Sequence, residues 1–327
     1  MSMTAEEIVD RRRMRRKLSF WRVVSFLTLF VIVAGAIVAS AGSEALPLLT
    51  KAQIARVTID GFITEDRDRD ELFARLAKVD AVKGVIVAID SAGGATTGGE
   101  TLYESIRKLA QKKPTVATVG TVGASAAYMA AIATDRVIAR RTSITGSIGV
   151  VFQYPVVAGL MDKIGVEVEE VKSAPLKAEP SPFKPTTPAA RAVVAALVND
   201  TFNWFVDIVA ERRGLERPAA RSLADGRVYS GRQALSAGLI DEIGGEDAAL
   251  TWLESKGVDS DLPVRDWKPS DRDGGVLSYA DAVALWLARQ MGISPHLIGD
   301  QLVDRLVPDS LKLDGLLSVW QASGAGN

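Results

Sequence analysis

The chain has 327 residues, with 39 Lys and Arg against 40 Asp and Glu, a formal net charge of −1, no cysteine and a single histidine. Near-neutrality removes the electrostatic case for a nucleic-acid partner, and the lack of cysteine removes disulfides, thiolate metal sites and cysteine nucleophiles. One histidine excludes a His-rich metal site, and a Ser-His-Asp triad would have to use His296, next to a proline close to the C-terminus, where a surface or partly packed role suits it better.

Residues 1–22 form a basic N-terminus, with RRRMRRK at 11–17, ahead of the uncharged run VVSFLTLFVIVAGAIVASAG at 23–42. About 20 apolar residues at ~1.5 Å each cross a hydrocarbon core of about 30 Å. The run is therefore expected to be a transmembrane anchor, with the basic cluster keeping the N-terminus in the cytoplasm and sending the rest to the outer, periplasmic side. ASA at 39–41 resembles a small-x-small cleavage site. The apolar run is long for a secretory signal, which favours an uncleaved single-pass anchor in the cytoplasmic membrane. A short tether follows at 43–52.

In the body, IARVTIDGFI (54–63) alternates as a strand does and DELFARLAKV (70–79) has helical spacing. KGVIVAID (83–90), PTVATVG (114–120) and DRVIARR (135–141) read as strands buried on both faces. GGETLYESIRKLAQKK (98–113) is an amphipathic helix, and a further helix opens near Ser125. This alternation of strand and helix predicts an α/β fold. Beyond a proline-rich loop, 187–214 reads as one long helix, with Thr187 as N-cap, Pro188 at the first position and Gly214 as the stop. Its stripe of Val194, Val198, Phe202, Phe205 and Val209 suits core or subunit packing. The charged, breaker-rich segment 259–275 is expected to separate a body at 53–258 from a C-terminal tail reaching 327, with a helical piece at 278–291.

The chemistry centres on GTVGASAAYMAA (120–131), where Ser125 stands among glycine and alanine between a strand and a helix. A serine hydroxyl needs a general base. With histidine effectively unavailable, that base would be a lysine whose ammonium form is disfavoured by apolar surroundings. VKSAPLKAEPSPFKP (171–185) offers Lys177 between Pro175, Leu176, Ala178 and Pro180, with Lys172 and Lys184 as competitors that local sequence does not separate from it. Acyl transfer also needs donors for an oxyanion. DSAGGATTGGE (90–100) would supply the Gly94 N–H, with Gly93 as a fallback, and Ala126 at the next helix N-terminus would supply a second. The spacing does not fit a Walker loop. Such a site needs no metal, nucleotide or other cofactor.

Five segments in order, VIVAIDSAGG, TVATVGTVGASAAYMAA, TSITGSIGVV, KSAPLKAEPSPFKPTTPAAR and DGRVYSGRQALSAGLIDEIGG, resemble the bacterial signal peptide peptidase family of membrane-anchored serine–lysine proteases. The resemblance implies a Clp/crotonase-like core of repeated ββα units behind an N-terminal transmembrane helix, with a small helical tail. It also implies that Ser125 is the nucleophile, that Lys177 rather than Lys172 or Lys184 is the base, that Ser147 orients the lysine and that Gly93 and Gly94 line the oxyanion hole. Implied substrates are remnant signal peptides and other hydrophobic segments at the outer face of the membrane. The short form is implied to be a homo-oligomer in which serine and lysine can come from neighbouring subunits. Two positions depart from the family: Ala92 stands where proline usually precedes the paired glycines, and Ala126-Ala127 stand where Gly-Gly usually follows the nucleophile. A glycine at positive φ does not accept a Cβ cheaply, so the departures keep open a catalytically inactive peptide-binding scaffold. A related protease acting on stomatin-like membrane proteins is a further alternative. A crotonase-like acyl-CoA enzyme is disfavoured by the outward-facing body.

Overall fold

A computed structural model describes residues 51–269 and 317–319, together with Trp21, Arg22, Val24, Ser25 and Thr28. The chain divides into two units, Met1–Ala52 and Gln53–Asn327. In the first, Trp21, Arg22, Val24, Ser25 and Thr28 are helical, and the Thr28 hydroxyl donates to the Val24 carbonyl at 2.9 Å. The rest of the expected anchor, the expected helix at 278–291 and His296 lie outside the described residues.

The second unit is an α/β fold on a mixed sheet. Strands β1 (Gln53–Ile63), β2 (Val82–Ala95), β3 (Thr115–Ala124) and β4 (Arg136–Ala139) are parallel neighbours in that order. Helices α1 (Arg67–Leu76), α2 (Thr96–Ala110) and α3 (Ala126–Ala133) make the crossovers that parallel strands require. The continuous apolar run of Val85, Ile86, Val87 and Ile89 in β2 is buried, as expected for a strand covered on both faces. Ile54, Ile86, Val116 and Ile138 pack against Ala249 and Leu253 of α8 (Glu246–Ser255). Helix α2 packs on α1, α3 and β2, and α3 packs on β2 and β3; Leu72, Phe73, Leu76, Leu102, Ile106 and Leu109 are buried.

Two features of the sheet position the site. First, β3 forks: Val116–Val119 pair with β4, whereas Val122–Ala124 pair with β5 (Ile144–Gly146), which β6 (Val228–Ser230) joins antiparallel. Second, the register of β2 on β3 ends at Ser91 opposite Gly123. Past that point β3 no longer pairs with β2, its Ala124 staying on Gly146 of β5, and β2 at Gly93–Ala95 pairs antiparallel with β9 (Leu317–Val319).

The remaining strands are short. β7 (Glu242–Ile243) flanks β4, and β8 (Val264–Asp266) lies parallel on β1. Residues 264–266, expected in a linker, thus extend the sheet. Asp266 pairs rather than solvates: Arg56 of β1 binds it at 2.6 Å and Glu246 at 2.9 Å, and the neighbouring Trp267 is buried.

Small helices α4 (Ala158–Ile164), α6 (Arg217–Leu223) and α7 (Gly231–Ser236) accompany the long α5 (Pro188–Arg213), on which α6 packs. As expected, the Thr187 hydroxyl caps α5 by accepting from the Ala190 N–H, Pro188 opens it, and Gly214 ends it at φ 60°. Phe205 and Val209 of the stripe are buried in the core, while Val194, Val198 and Phe202 are only half-buried. Among the described residues, α5 alone is long and apolar enough to cross a membrane by length and composition, with a mean hydropathy of 1.4.

Candidate active site

Ser125 is the one residue between β3 and α3, and its backbone is held at φ 61°, ψ −121°. L-residues avoid this region, at a cost of about 1–3 kcal/mol that only the surroundings can maintain. The surroundings are visible. The Ser125 N–H donates to the Gly146 carbonyl of β5 at 2.8 Å, and its carbonyl accepts the first helical bond from the Met129 N–H at 3.0 Å. The residue is 1% exposed.

The N–H groups of Ala126 and Ala127 precede that first bond and have no intrahelical partner, at the positive end of the helix dipole. Neither alanine, nor Ala92, has positive φ; the strain falls on Ser125. Alanine also fits at Ala126 for a packing reason, since a Cβ added at Gly99 of α2 would lie 2.9 Å from the Ala126 Cβ. At the other end of α3, arginines from elsewhere close the carbonyls of Ile132, Ala133 and the C-cap Thr134. Arg212 donates to Ile132 at 2.9 Å and Thr134 at 3.0 Å, and Arg107 donates to Ala133 at 2.8 Å. All eight residues of α3 are buried, in keeping with a helix that is apolar on every side.

The glycine loop is built by Ser91. Its hydroxyl donates to the Gly61 carbonyl at 2.6 Å and accepts from the Gly93 N–H at 3.1 Å, holding Gly93 at φ 111°. The Gly93 N–H is thereby engaged by the Ser91 hydroxyl, and Gly94 is the other candidate oxyanion donor on this loop. Gly94 admits no side chain: a Cβ there would sit 1.9 Å from the Ile63 carbonyl oxygen. Because Ser91 is opposite Gly123, this loop and Ser125 follow adjacent registers of β2 and β3.

Ser147 lies one residue beyond the carbonyl that holds Ser125. It is buried at φ 50°, its N–H donating to the Arg227 carbonyl at 2.9 Å. The preceding Gly146, at φ 82°, has no room for a Cβ, which would meet the Tyr229 ring at 2.6 Å. The fold therefore brings Ser125, Ser147 and the glycine loop to one corner of the sheet.

The three lysines separate by their partners. Lys172 binds Glu170 at 2.7 Å and Glu179 at 2.8 Å, and Lys184 binds the same two carboxylates at 2.9 and 2.6 Å. Hydrogen bonds from Lys172 and then Lys184 hold both glutamates down at about 2. The bonds to Glu179 and Glu170 in turn hold Lys184 well above the ordinary lysine range. Neither lysine is placed to accept a proton. Lys177 is outside this network, in a turn closed by its own N–H donating to the Ala174 carbonyl at 3.0 Å. Its side chain is exposed in the single chain, where the sequence leads one to expect an apolar environment. No hydrogen bond joins it to Ser125 among the described residues.

Sequence reasoning passed over Ser91, the Glu170–Glu179 pair and the two arginines that finish α3. The alternation of Glu and Lys through 167–184 was a signal for the pair; nothing local marks the others.

Comparison with known proteins gives a consistent assignment. Residues 107–259 match the profile of peptidase family S49. A protein of Methanocaldococcus jannaschii provisionally named a protease is 40% identical over 55% of this chain and 58% of its own length. A second such protein, from Synechocystis, is 31% identical over 76% of this chain and 91% of its own. A protein of Enterococcus faecium provisionally named a signal peptide peptidase is 29% identical over 75% of this chain and 76% of its own. The chain thus spans a little over half of the first relative and most of the other two.

Proposed function

The chain belongs to peptidase family S49, and from that premise we propose that it is a serine endopeptidase in which Ser125 is the nucleophile and Lys177 the general base. The observation that carries the proposal is the strained backbone of Ser125 at a strand-to-helix turn, with helix N-terminal N–H groups beside it. Strained serines at such turns present the hydroxyl to a substrate. Neutral Lys177 takes the Ser125 proton as the hydroxyl attacks a peptide carbonyl. The N–H groups of Gly94 and Ala126 receive the oxyanion, and protonated Lys177 then serves the leaving amine. Water deacylates the enzyme through the same base. Ser147, adjacent to the residue that holds Ser125, orients the lysine. The finer fold assignment, a Clp/crotonase-like repeated ββα core, belongs to the same reading.

An exposed lysine is a poor base, so the site needs a cover. Exposed apolar side chains surround Lys177 in sequence: Val156, Leu160, Ile164, Val171, Leu176, Phe183, and Val193 and Leu197 of α5. A second copy seated on them would bury this surface and give the amine the apolar surroundings that it lacks in the single chain. The active form is accordingly a homo-oligomer. Its substrates are hydrophobic peptides, remnant signal peptides foremost, met at the outer face of the membrane that residues 23–42 anchor it to.

A fluorophosphonate probe on the full-length protein in detergent tests the reading, beside hydrolysis of a signal-peptide-derived fluorogenic peptide. Labelling at Ser125 together with turnover supports it. Turnover on a stomatin-like segment alone would redirect the substrate assignment. Assembled protein that neither labels nor cleaves would be a scaffold.

A further inference from the structure

Four charges close the loop that carries Lys177. Lys172 and Lys184 each bind both Glu170 and Glu179, at 2.6–2.9 Å. Ser181, itself buried, completes the cluster: its hydroxyl donates to Glu170 at 3.0 Å and its N–H to Glu179 at 3.2 Å. The Glu179 side chain is only 4% exposed. A carboxylate withdrawn from water in this way depends on its partners and hydrogen bonds to stay ionised. The backbone between the charges is held as well. The Lys177 N–H donates to the Ala174 carbonyl at 3.0 Å and the Glu179 N–H to the Leu176 carbonyl at 3.3 Å, with Ala178 between them at φ 58°. A non-glycine residue keeps that conformation only where its surroundings impose it.

The Lys177 amine has no hydrogen bond or ion pair among the described residues. Yet a carboxylate stands two residues along, at Glu179. Cα atoms so spaced are at most about 7 Å apart, within the combined reach of a lysine and a glutamate. Left without other partners, that carboxylate would pair with the amine, and an opposite charge at such range favours the ammonium form. An ammonium group cannot take a serine proton. The other charged groups of the segment, Asp162, Lys163, Glu167 and Glu169, are exposed to water, which screens them. Glu170 and Glu179 are the carboxylates to be kept away, and both are occupied.

We propose that Lys172 and Lys184 are positioning residues for Lys177: they occupy Glu170 and Glu179 so that neither carboxylate pairs with its amine, and the same bonds hold the turn. Two lysines that compete with Lys177 on local sequence thus serve it in the fold. The catalytic consequence rests on Lys177 being the base; the sequestration of the carboxylates does not.

The test compares the full-length protein in detergent with Lys184→Met, with Lys184→Arg, and with Lys184→Met combined with Glu179→Gln. Brief acylation by acetic anhydride across a series of pH values, read site by site by mass spectrometry, gives the titration midpoint of the Lys177 amine. In Lys184→Met one lysine is left to two carboxylates, and the midpoint should rise by about one pH unit. Lys184→Arg keeps the charge and should leave it in place. The double variant, with Glu170 and Lys172 again matched, should return it to the parent value. The pH profile of peptide hydrolysis should move with the midpoint, kcat/KM falling about tenfold at a fixed pH on its acid side. An unchanged or lower midpoint in Lys184→Met overturns the proposal, and so does a raised one that Glu179→Gln fails to reverse. A clamp that only held the loop together would behave in one of those ways. A shifted midpoint in protein that hydrolyses no peptide would keep the positioning role and remove the peptidase reading; hydrolysis without a shift would do the opposite.

Discussion

Ser125 illustrates how a catalytic assignment can rest on backbone geometry. At φ 61° its Cβ is a liability, and only glycine would relieve it. Ser125→Gly and Ser125→Ala are both predicted to abolish turnover, with the glycine variant about 1 kcal/mol more stable than the alanine variant. Paired thermal melts check this. Equal melting of the two would mean that Ser125 is not strained. A second residue-scale prediction concerns Glu170 and Glu179, held at about 2 against an ordinary 4.5. A depressed carboxylate stabilises the fold above its unfolded pKa and loses that contribution as pH falls through the folded value. The loop around Lys177 should therefore hold its amide protection above pH ~4.5 and lose it progressively toward ~2. Glu179→Gln should flatten that dependence. The serine and the candidate lysines were legible in the sequence. The strain was not, because φ depends on the β3–β5 ladder, and neither were the ion pairs that tie up Lys172 and Lys184.

Among the elements, α3 depends on side chains from elsewhere. Arg212 closes two of its last carbonyls from α5, and Arg107 a third from α2. Arg212→Ala is predicted to cost about 1.5–3 kcal/mol, since bonds from a charged donor are lost and buried carbonyls are left open. The melting temperature should fall by several degrees, with a loss of turnover that tracks the loosened helix. Elements with strong local signals were legible: the apolar β1–β4 and above all α5, where cap, proline and terminal glycine stand in sequence order. Strands β5 to β7, of two or three residues, have no periodicity to read. Strand β8 reads as linker because its charges find Arg56 only in the fold. Strand β9 is paired with residues more than two hundred positions away, beyond any local pattern.

For the whole molecule, the proposed reading ties assembly to chemistry through the exposed apolar side chains that flank Lys177 in sequence. Leu160→Asp with Leu176→Asp should give a folded protein of lower mass by light scattering and remove turnover at the same time. A monomer that kept full turnover would separate assembly from the site. The same logic sets the most direct test of the central claim, that Lys177 is the base for Ser125. Hydrolysis of the signal-peptide-derived peptide is measured for the full-length protein, for Lys177→Ala and for Lys172→Ala, with oligomeric state followed in each. Loss of about 10²–10⁴-fold in Lys177→Ala alone, with assembly intact, is the predicted result. Turnover retained in Lys177→Ala, or lost equally in Lys172→Ala without a change of assembly, would contradict the account.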